Sequence, residues 1–458
     1  MKSWMQTELT YLSLGDKRRD DRFRKIVEAF AEHPASSVPQ ASKSWYQTKA
    51  AYEFWKSAKV SEAALLESIV QGSAQRAGDH RLVLCVQDTS NICFGGSSAE
   101  GLGYLDHGRG KGMLVHSSLG ISEQGVPLGL VDQQIWVRPY EQMGKKRTRS
   151  TRPIQAKESG RWIRGMQACQ RVLAGVEHLV HIADREADIY DLFASERCPG
   201  SDLLIRATHN RCLADGGRLW ERVSQVPAGR CELVIELQKA DGRPARQARL
   251  QVKWAPVRLR PPSNKGGDAL PLSLQGILVE EPHPPGGTPG LCWKLLTSLP
   301  ISVAGDALRY VRWYSYRWII ERFHYTLKSG CRVEELQLRQ LASLRKALIT
   351  FSLVAWRLMW LLYESRVSPQ TLCDQLFEEH EWQALYSYHH KSFIPPEQVP
   401  SLGQVVRWIA MLGGFLGRSR DGSPGLKNLW RGIRRLQDLA EMWLVFEKGT
   451  YPHKTSFG

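Results

Sequence analysis

A chain of 458 residues is about three times the length of an average domain, enough for two to four domains around a sizeable core, and it excludes a small disulfide-stapled scaffold. Hydrophobic residues make up 42% and charged residues 24%, so most of the chain should fold, and neither a disordered nor a fibrous class fits. Lysine and arginine number 62 against 46 aspartates and glutamates, and the +16 balance points to a polyanionic partner, nucleic acid first and an anionic membrane surface second.

The first 65 or so residues read as helical, with the basic run LGDKRRDDRFRKIVEAF leading into an amphipathic helix. Arg18, Arg19 and their basic neighbours either grip phosphates or form a solvated face interleaved with Asp16, Asp20 and Asp21. No apolar run long enough for a signal peptide occurs from Met1 to Leu14.

From Arg81 the pattern becomes strands: RLVLCVQD, then GMLVHSSLGIS, then VPLGLVDQQIWV, with a turn at Glu123 to Gly125 between the last two. The helical stretch ESGRWIRGMQACQRVLAG (158–175) and the strand VEHLVHIAD, ending at Asp184, follow. Three antiparallel strands, a crossover helix and a strand returning beside the first is the opening of an RNase H-like α/β fold, a mixed sheet flanked by helices. DLLIRAT adds a further strand, and alternating segments between about 211 and 300, broken by PPSNKGGD and PHPPGGTPG, read as a β-rich insertion.

Helical pattern returns from Asp306 through about Arg366. Its most apolar part, Ala347 to Tyr363, carries Arg357 within 17 residues and reads as a buried helix, not a membrane span. The remainder offers amphipathic helices punctuated by prolines and by the LGGF and DGSPG turns. These divisions give three domains: 1–65, helical; 66–366, the α/β core with its insertion; and 367–458, helical. The nine cysteines are scattered without a C-x-x-C pair, so they read as reduced thiols of a cytosolic protein and signal neither a disulfide framework nor a zinc knuckle.

Asp88 directly follows the apolar run LVLCVQ and Asp184 directly follows LVHIA, which sets two carboxylates at the ends of two strands expected to be neighbours. A lone strand-end aspartate is usually a turn or cap residue; two at matching ends can converge. YSYRWIIERFHYTLKSG, Tyr314 to Gly330, reads as one continuous helix. Helical periodicity puts Tyr314, Arg317, Glu321 and Lys328 within an arc of roughly 60°, opposite an apolar stripe that includes Ile319, Ile320 and Phe323. That polar face is open to two readings, a functional surface or an i,i+4 ion pair between Arg317 and Glu321.

The spacing Y-x2-R-x3-E-x6-K, with an aspartate in QDTS and another in ADREADIYDLF, resembles the signature of bacterial cut-and-paste DDE transposases of the insertion-sequence 4 family. LGDKRR, KGMLVHS, WVRP (136–139), ESGRW (158–162), CWKLLTS (292–298) and LGGF (412–415) recur in the family's order, so the resemblance runs nearly end to end. It implies that Asp88, Asp184 and Glu321 are an acidic triad holding two divalent metals, Mg2+ or Mn2+. Carboxylates suit hard cations, and a metal pair ~3.5–4 Å apart clamps the attacking and leaving oxygens of a phosphoryl displacement.

The resemblance further implies that Tyr314, Arg317 and Lys328 contact DNA phosphates near the cleaved end and that a flipped base stacks on Trp293. Arg206 and Arg185 are additional phosphate contacts in the same comparison. The apolar neighbours Leu295 and Leu296 leave a lesser alternative for Trp293, a core residue of a strand. Two basic clusters, KKRTRSTR (145–152) and RGIRRL (431–436), either touch DNA or stay solvated.

The N-terminal region would read the terminal inverted repeats of the transposon, and the C-terminal helices would make a homodimer that holds two ends in one synaptic complex before joining them to target DNA. The expected site of action is the bacterial cytoplasm, at the nucleoid. A metal-dependent nuclease or resolvase on the same core would cut without joining, and a DNA-binding regulator would need only the positive charge.

Overall fold

The computed structural model describes residues 3–95, 99–105, 110–142, 153–227, 232–237, 246–265, 269–287, 290–418 and 420–447. The basic cluster KKRTRSTR lies outside the described residues. Five helices open the chain: α1 (Ser3–Glu8), α2 (Lys17–Glu32), α3 (Val38–Ser42), α4 (Trp45–Lys56) and α5 (Glu62–Ala77). Helix α2 begins where Asp16 accepts from the Arg18 backbone N–H, and it buries Phe23, Ile26, Val27 and Phe30 on one side. The charged residues between them are left on the other side.

The central strands are β1 (Leu82–Cys93), β2 (Gly103–Tyr104), β3 (Lys111–Ser122) and β4 (Pro127–Trp136), followed by α6 (Arg161–Val172) and β5 (His178–Ala183). Strand β1 pairs antiparallel with β3 and parallel with β5. The expected return of the chain beside its first strand is therefore what the sheet contains. The turn between β3 and β4 closes with Ser122 N–H bonded to Val126 O, and Gly125 takes the φ of 88° that such a tight connection demands.

After β5 come α7 (Tyr190–Ala194), β6 (Ser201–Arg206), α8 (Leu219–Ser224), β7 (Glu232–Leu237), β8 (Arg246–Leu259), β9 (Leu272–Glu280) and β10 (Cys292–Thr297). The insertion is not a separate sheet. Strand β10 pairs with β6, and the order β2-β3-β1-β5-β6-β10-β9-β8-β7, with β4 also on β3, makes one mixed sheet of ten strands. This α/β core is RNase H-like.

Helices α9 (Ala304–Ser315), α10 (Trp318–Tyr325), α11 (Leu341–Val367), α12 (Glu379–His390), α13 (Leu402–Leu412) and α14 (Leu426–Glu447) complete the chain. Helix α11 has the length and composition of a membrane span, but 89% of its apolar window is buried inside the protein. Phe30, Trp55 and Phe351 pack ring against ring there, so α2 and α4 are cemented to α11. One apolar cluster joins residues of the first helices, the sheet, α11, α13 and α14.

Two expectations of local structure are corrected. Asp88 does not end its strand: β1 runs on to Cys93, and Asp88 sits opposite Ser117 of β3. What ends is the other neighbour, because β1 pairs with β5 only through Val86 opposite Ile182. Two residues further along each strand, Asp88 and Asp184 emerge at the same level of the sheet.

The helix expected over 314–330 is broken. Tyr316 and Arg317 donate to the carbonyls of Trp313 and Tyr314, three residues back, so the chain tightens between α9 and α10. Residues 326–330 then widen into a π turn closed by the Cys331 N–H on Thr326 O. Tertiary packing explains both departures: the Tyr316 ring lies against Gly125 of the β3–β4 turn, and Gly330 lies against the Trp430 ring of α14.

Candidate active site

The site forms where β5 stops and β1 continues. Strand alternation puts Leu84, Val86 and Asp88 on one face of β1 and Ile182 and Asp184 on the same face of β5. Helix α10 packs on that face through Ile319, Ile320 and Phe323, which leaves Glu321 exposed at its edge. The three acids therefore come from three elements.

Each acid has a distinct local anchor. Asp88 accepts from the Thr89 N–H at 2.8 Å, and His324 Nδ1 lies 3.9 Å from its other oxygen. Asp184 accepts from the Glu186 N–H at 2.9 Å and so caps the short turn after its strand. Glu321 is paired with Arg317. The cap and the ion pair, two bland alternatives open in the sequence, are both present in the structure alongside the convergence.

Burial pushes the Asp88 carboxyl up to about 7; Arg317 and the Thr89 N–H pull it down, while the charges of Asp184 and Glu321 add to the rise. Burial and the two neighbouring acids thus outweigh the Arg317 charge, so Asp88 keeps its proton to a higher pH than an exposed carboxyl does. All three acids offer the hard oxygen donors a divalent cation prefers, although their oxygens are not gathered within 4.8 Å of one another in this structure; a cation drawing them together would return Asp88 to its carboxylate form.

Beside the acids opens a cleft of about 800 Å³, lined by Arg206, Trp293, Tyr314, Arg317, Glu321 and Arg322 among others. Trp293 on β10 meets Tyr314 edge to face at 5.2 Å, so one part of the cleft wall is aromatic and another cationic. The buried Tyr314 hydroxyl lacks a well-formed hydrogen bond and lies within electrostatic reach of Arg317, Arg206 and Asp184. Tyr314 is buried rather than part of a solvent-facing stripe, yet it lines the same cleft as Arg317 and Glu321, whereas Lys328 is not among the lining residues. Lys328 sits half-buried in the π turn, where its charge helps burial depress the pKa of His324.

Other expected DNA-contact residues lie apart from this cleft. Arg185 is exposed on the turn after Asp184. Arg18 is exposed on α2, whereas Arg19 bonds to the Leu14 and Lys59 carbonyls and ties the helix start to the loop before α5. In the RGIRRL cluster, Arg431 and Arg434 are exposed on α14 and Arg435 bonds to Leu412 O.

A supporting network went unread in the sequence although its motifs stood out. Arg161, from ESGRW, donates from Nε to Thr89 Oγ1 at 2.8 Å and from its other arm to Glu186 at 2.5 Å, so it bridges the residues next to Asp88 and Asp184. Thr89 in turn bonds His116 Nδ1 at 2.9 Å, and His116 Nε2 bonds Gln87 Oε1 at 3.1 Å. Glu158 of the same motif clasps Arg138 of WVRP with two hydrogen bonds, 2.6 and 2.7 Å. Trp45 and Tyr46 are likewise new: they are 75% and 68% exposed, with Lys49 over one ring and Arg22 over the other. Exposed aromatics among basic groups are suited to nucleic acid.

Three family descriptions match consecutive parts of the chain: Transposase DNA-binding over residues 1–60, Transposase DDE domain over 128–357, and Transposase Tn5 dimerisation domain over 353–450. The chain belongs to the DDE transposases. Its domain set is that of a Tn5-type transposase: an enzyme that binds DNA, depends on divalent metal and carries a dimerisation module. A solved structure, the cryo-EM structure of the piggyBac transposase synaptic complex with hairpin DNA, aligns with 93% of this transposase and 76% of its own chain, at 11% identity and a TM-score of 0.37. The assignment rests on the three domain matches.

Proposed function

We propose that this transposase binds the terminal inverted repeats of its own element, excises the element through hairpin ends, and joins the freed 3′-ends to target DNA. The observation that carries this reading is that Asp88, Asp184 and Glu321 lie within electrostatic reach of one another at the edge of a cationic and aromatic cleft, which Glu321 itself lines. The finer kinship we propose is with the insertion-sequence 4 family, to which the Tn5-type domain set lends support. Asp88, Asp184 and Glu321 would hold two Mg2+ ions, with Mn2+ able to replace them. Bound there, such ions supply Lewis acidity on both sides of a scissile phosphate.

The protein's own groups do the rest. Arg317 and Glu321 satisfy one another without DNA; a backbone phosphate entering the cleft competes for the guanidinium and releases the carboxylate, so substrate binding itself helps to ready the site. Arg206 and Tyr314 stand ready on the same wall for phosphate, and Trp293 offers its ring to a base displaced from the hairpin. Arg161 ties the middle of β1 beside Asp88 to the turn after Asp184 through Thr89 and Glu186.

Residues 1–65 would recognise the element's ends with Arg18, Trp45 and Tyr46, residues 66–366 carry the chemistry, and residues 367–458 make the homodimer of the synaptic complex. The bacterial cytoplasm, at the nucleoid, is the corresponding location.

The test is wild type against Glu321→Ala on DNA carrying the element's own ends, with Mg2+, resolved on denaturing gels. Wild type should give hairpin-ended and joined products. Glu321→Ala, and likewise Asp88→Ala or Asp184→Ala, should keep end binding and lose cleavage by more than about 100-fold, beyond the loss expected from an outer-shell change. Nicks without hairpins or joining would move the assignment to a nuclease, and a fully active variant would remove its residue from the triad.

A further inference from the structure

On the opposite face of the sheet from the acids, the side chains of Cys85 of β1, Cys169 of α6 and His181 of β5 meet. Cys85 and His181 are register partners across the β1–β5 seam, and all three residues are 0–1% exposed. The two sulfurs and an imidazole nitrogen lie within 4.8 Å of one another. His181 Nε2 is bonded to Ser201 Oγ at 3.0 Å, which leaves Nδ1 buried with no hydrogen-bond partner.

An imidazole whose one nitrogen donates to an oxygen acceptor presents its other lone pair as a ligand, the arrangement that outer-shell partners enforce at metal sites. Nothing in the β1–β5 pairing requires that lone pair, and leaving it buried and unmade is costly. We propose that Cys85, Cys169 and His181 form a structural site for a thiophilic divalent cation, Zn2+ above all, that pins α6 to the back of the two acid-bearing strands.

The ligand set favours zinc over magnesium because thiolate and imidazole are its preferred donors. In a tetrahedral site, Zn–S of about 2.3 Å and Zn–N of about 2.0–2.1 Å put ligand atoms roughly 3.5–3.8 Å apart, so the cluster needs to contract by little more than 1 Å. A neutral oxygen donor for the fourth corner is at hand, the buried Ser118 hydroxyl, which is also without a well-formed hydrogen bond and lies in range of Cys169. Binding expels one proton from each thiol, and the two thiolates cancel the ion's two charges, so the loaded site is neutral and burial does not oppose it. The hard oxygen site of the acids and this soft site would share β1 and β5 but not their ions.

The experiment is to express the protein without a polyhistidine tag in medium supplemented with zinc or, separately, cobalt, and to measure bound metal and absorption. One equivalent of zinc retained through dialysis against EDTA, and an intense thiolate-to-cobalt charge-transfer band, are expected from wild type and from Asp88→Asn. Both should vanish in the Cys85→Val/Cys169→Ala double variant, which replaces thiols by apolar groups of similar size, and persist in Cys292→Ser. If the double variant fails to fold, titrating native wild type with a mercurial decides the matter: release of one zinc per chain supports the site. No thiolate–cobalt band in wild type, metal content unchanged by the double substitution, or purification of Cys85 and Cys169 as a disulfide would overturn the proposal.

Discussion

His116 shows how far a single side chain reaches in this protein. An amide oxygen only accepts, so His116 Nε2 donates to Gln87, its Nδ1 accepts the Thr89 hydroxyl proton, and Thr89 Oγ1 is left to accept from Arg161. The chain of bonds specifies a neutral imidazole. Burial first, then the charges of Arg161, His324 and Arg164, hold its pKa well below 6.5. The unfolded chain therefore takes up a proton that the folded chain refuses, so this stabilisation is complete above about pH 6.5 and is lost as pH falls below it. Urea midpoints should drop between about pH 7.5 and 5.5, with a slope of up to about 1.4 kcal/mol per pH unit from this residue. His116→Gln should flatten that slope; an identical slope in the variant would contradict the neutral assignment. Asp88 has the opposite sense, held up by burial and by its fellow acids, and the contrast separates a group that specifies structure from one poised for a cation.

At the scale of elements, the two aspartates of ADREAD divide the work. Asp184 faces the site, while Asp188, four residues on, has a fully buried side chain that accepts from the Thr208 and Asn-preceding His209 N–H groups at 2.7 and 2.9 Å and pairs with Arg211. The turn after β5 is thereby locked to the segment after β6. Asp188→Ala would leave the largely buried Arg211 unpaired and should cost about 3–5 kcal/mol in unfolding free energy. A loss below about 1 kcal/mol would show the pair to be dispensable. The break between α9 and α10 belongs to this scale too. No proline or glycine stands at Tyr316 or Arg317, so periodicity continues unbroken through a joint that the Gly125 turn imposes from outside.

Across the whole molecule, α11 is the spine on which the N-terminal helices, the sheet and the C-terminal helices all pack. Phe351, 1% exposed, sits 4.5 Å from the Phe30 ring and 6.2 Å from the Trp55 ring. Phe351→Ala should destabilise by about 3–5 kcal/mol and loosen residues 17–56 as well as α11, measurable as faster amide exchange in both. Exchange raised in α11 alone would mean that the N-terminal helices stand by themselves. The same continuity accounts for an apolar helix of membrane-span length that never leaves the interior: its surroundings are other helices and β4, with Arg357 lying over the Trp4 and Trp360 rings.

By itself the sequence determined the class, most of the order of elements and the candidates for the site. Continuous apolar runs followed directly by Asp88 and Asp184 are local signals, as are the net charge and the spacing that carries Arg317 and Glu321. Only the tertiary structure decided that β1 outruns β5 beside Asp88, that the insertion extends the main sheet, and that Tyr314 turns onto Trp293. It alone brought ESGRW to Thr89 and Glu186 and gathered Cys85, Cys169 and His181, which are scattered in the chain, into one cluster. The physical reason is common to all of these. Each depends on which partner a strand or ring meets across a long sequence separation, and periodicity fixes the face a residue occupies without fixing what lies opposite.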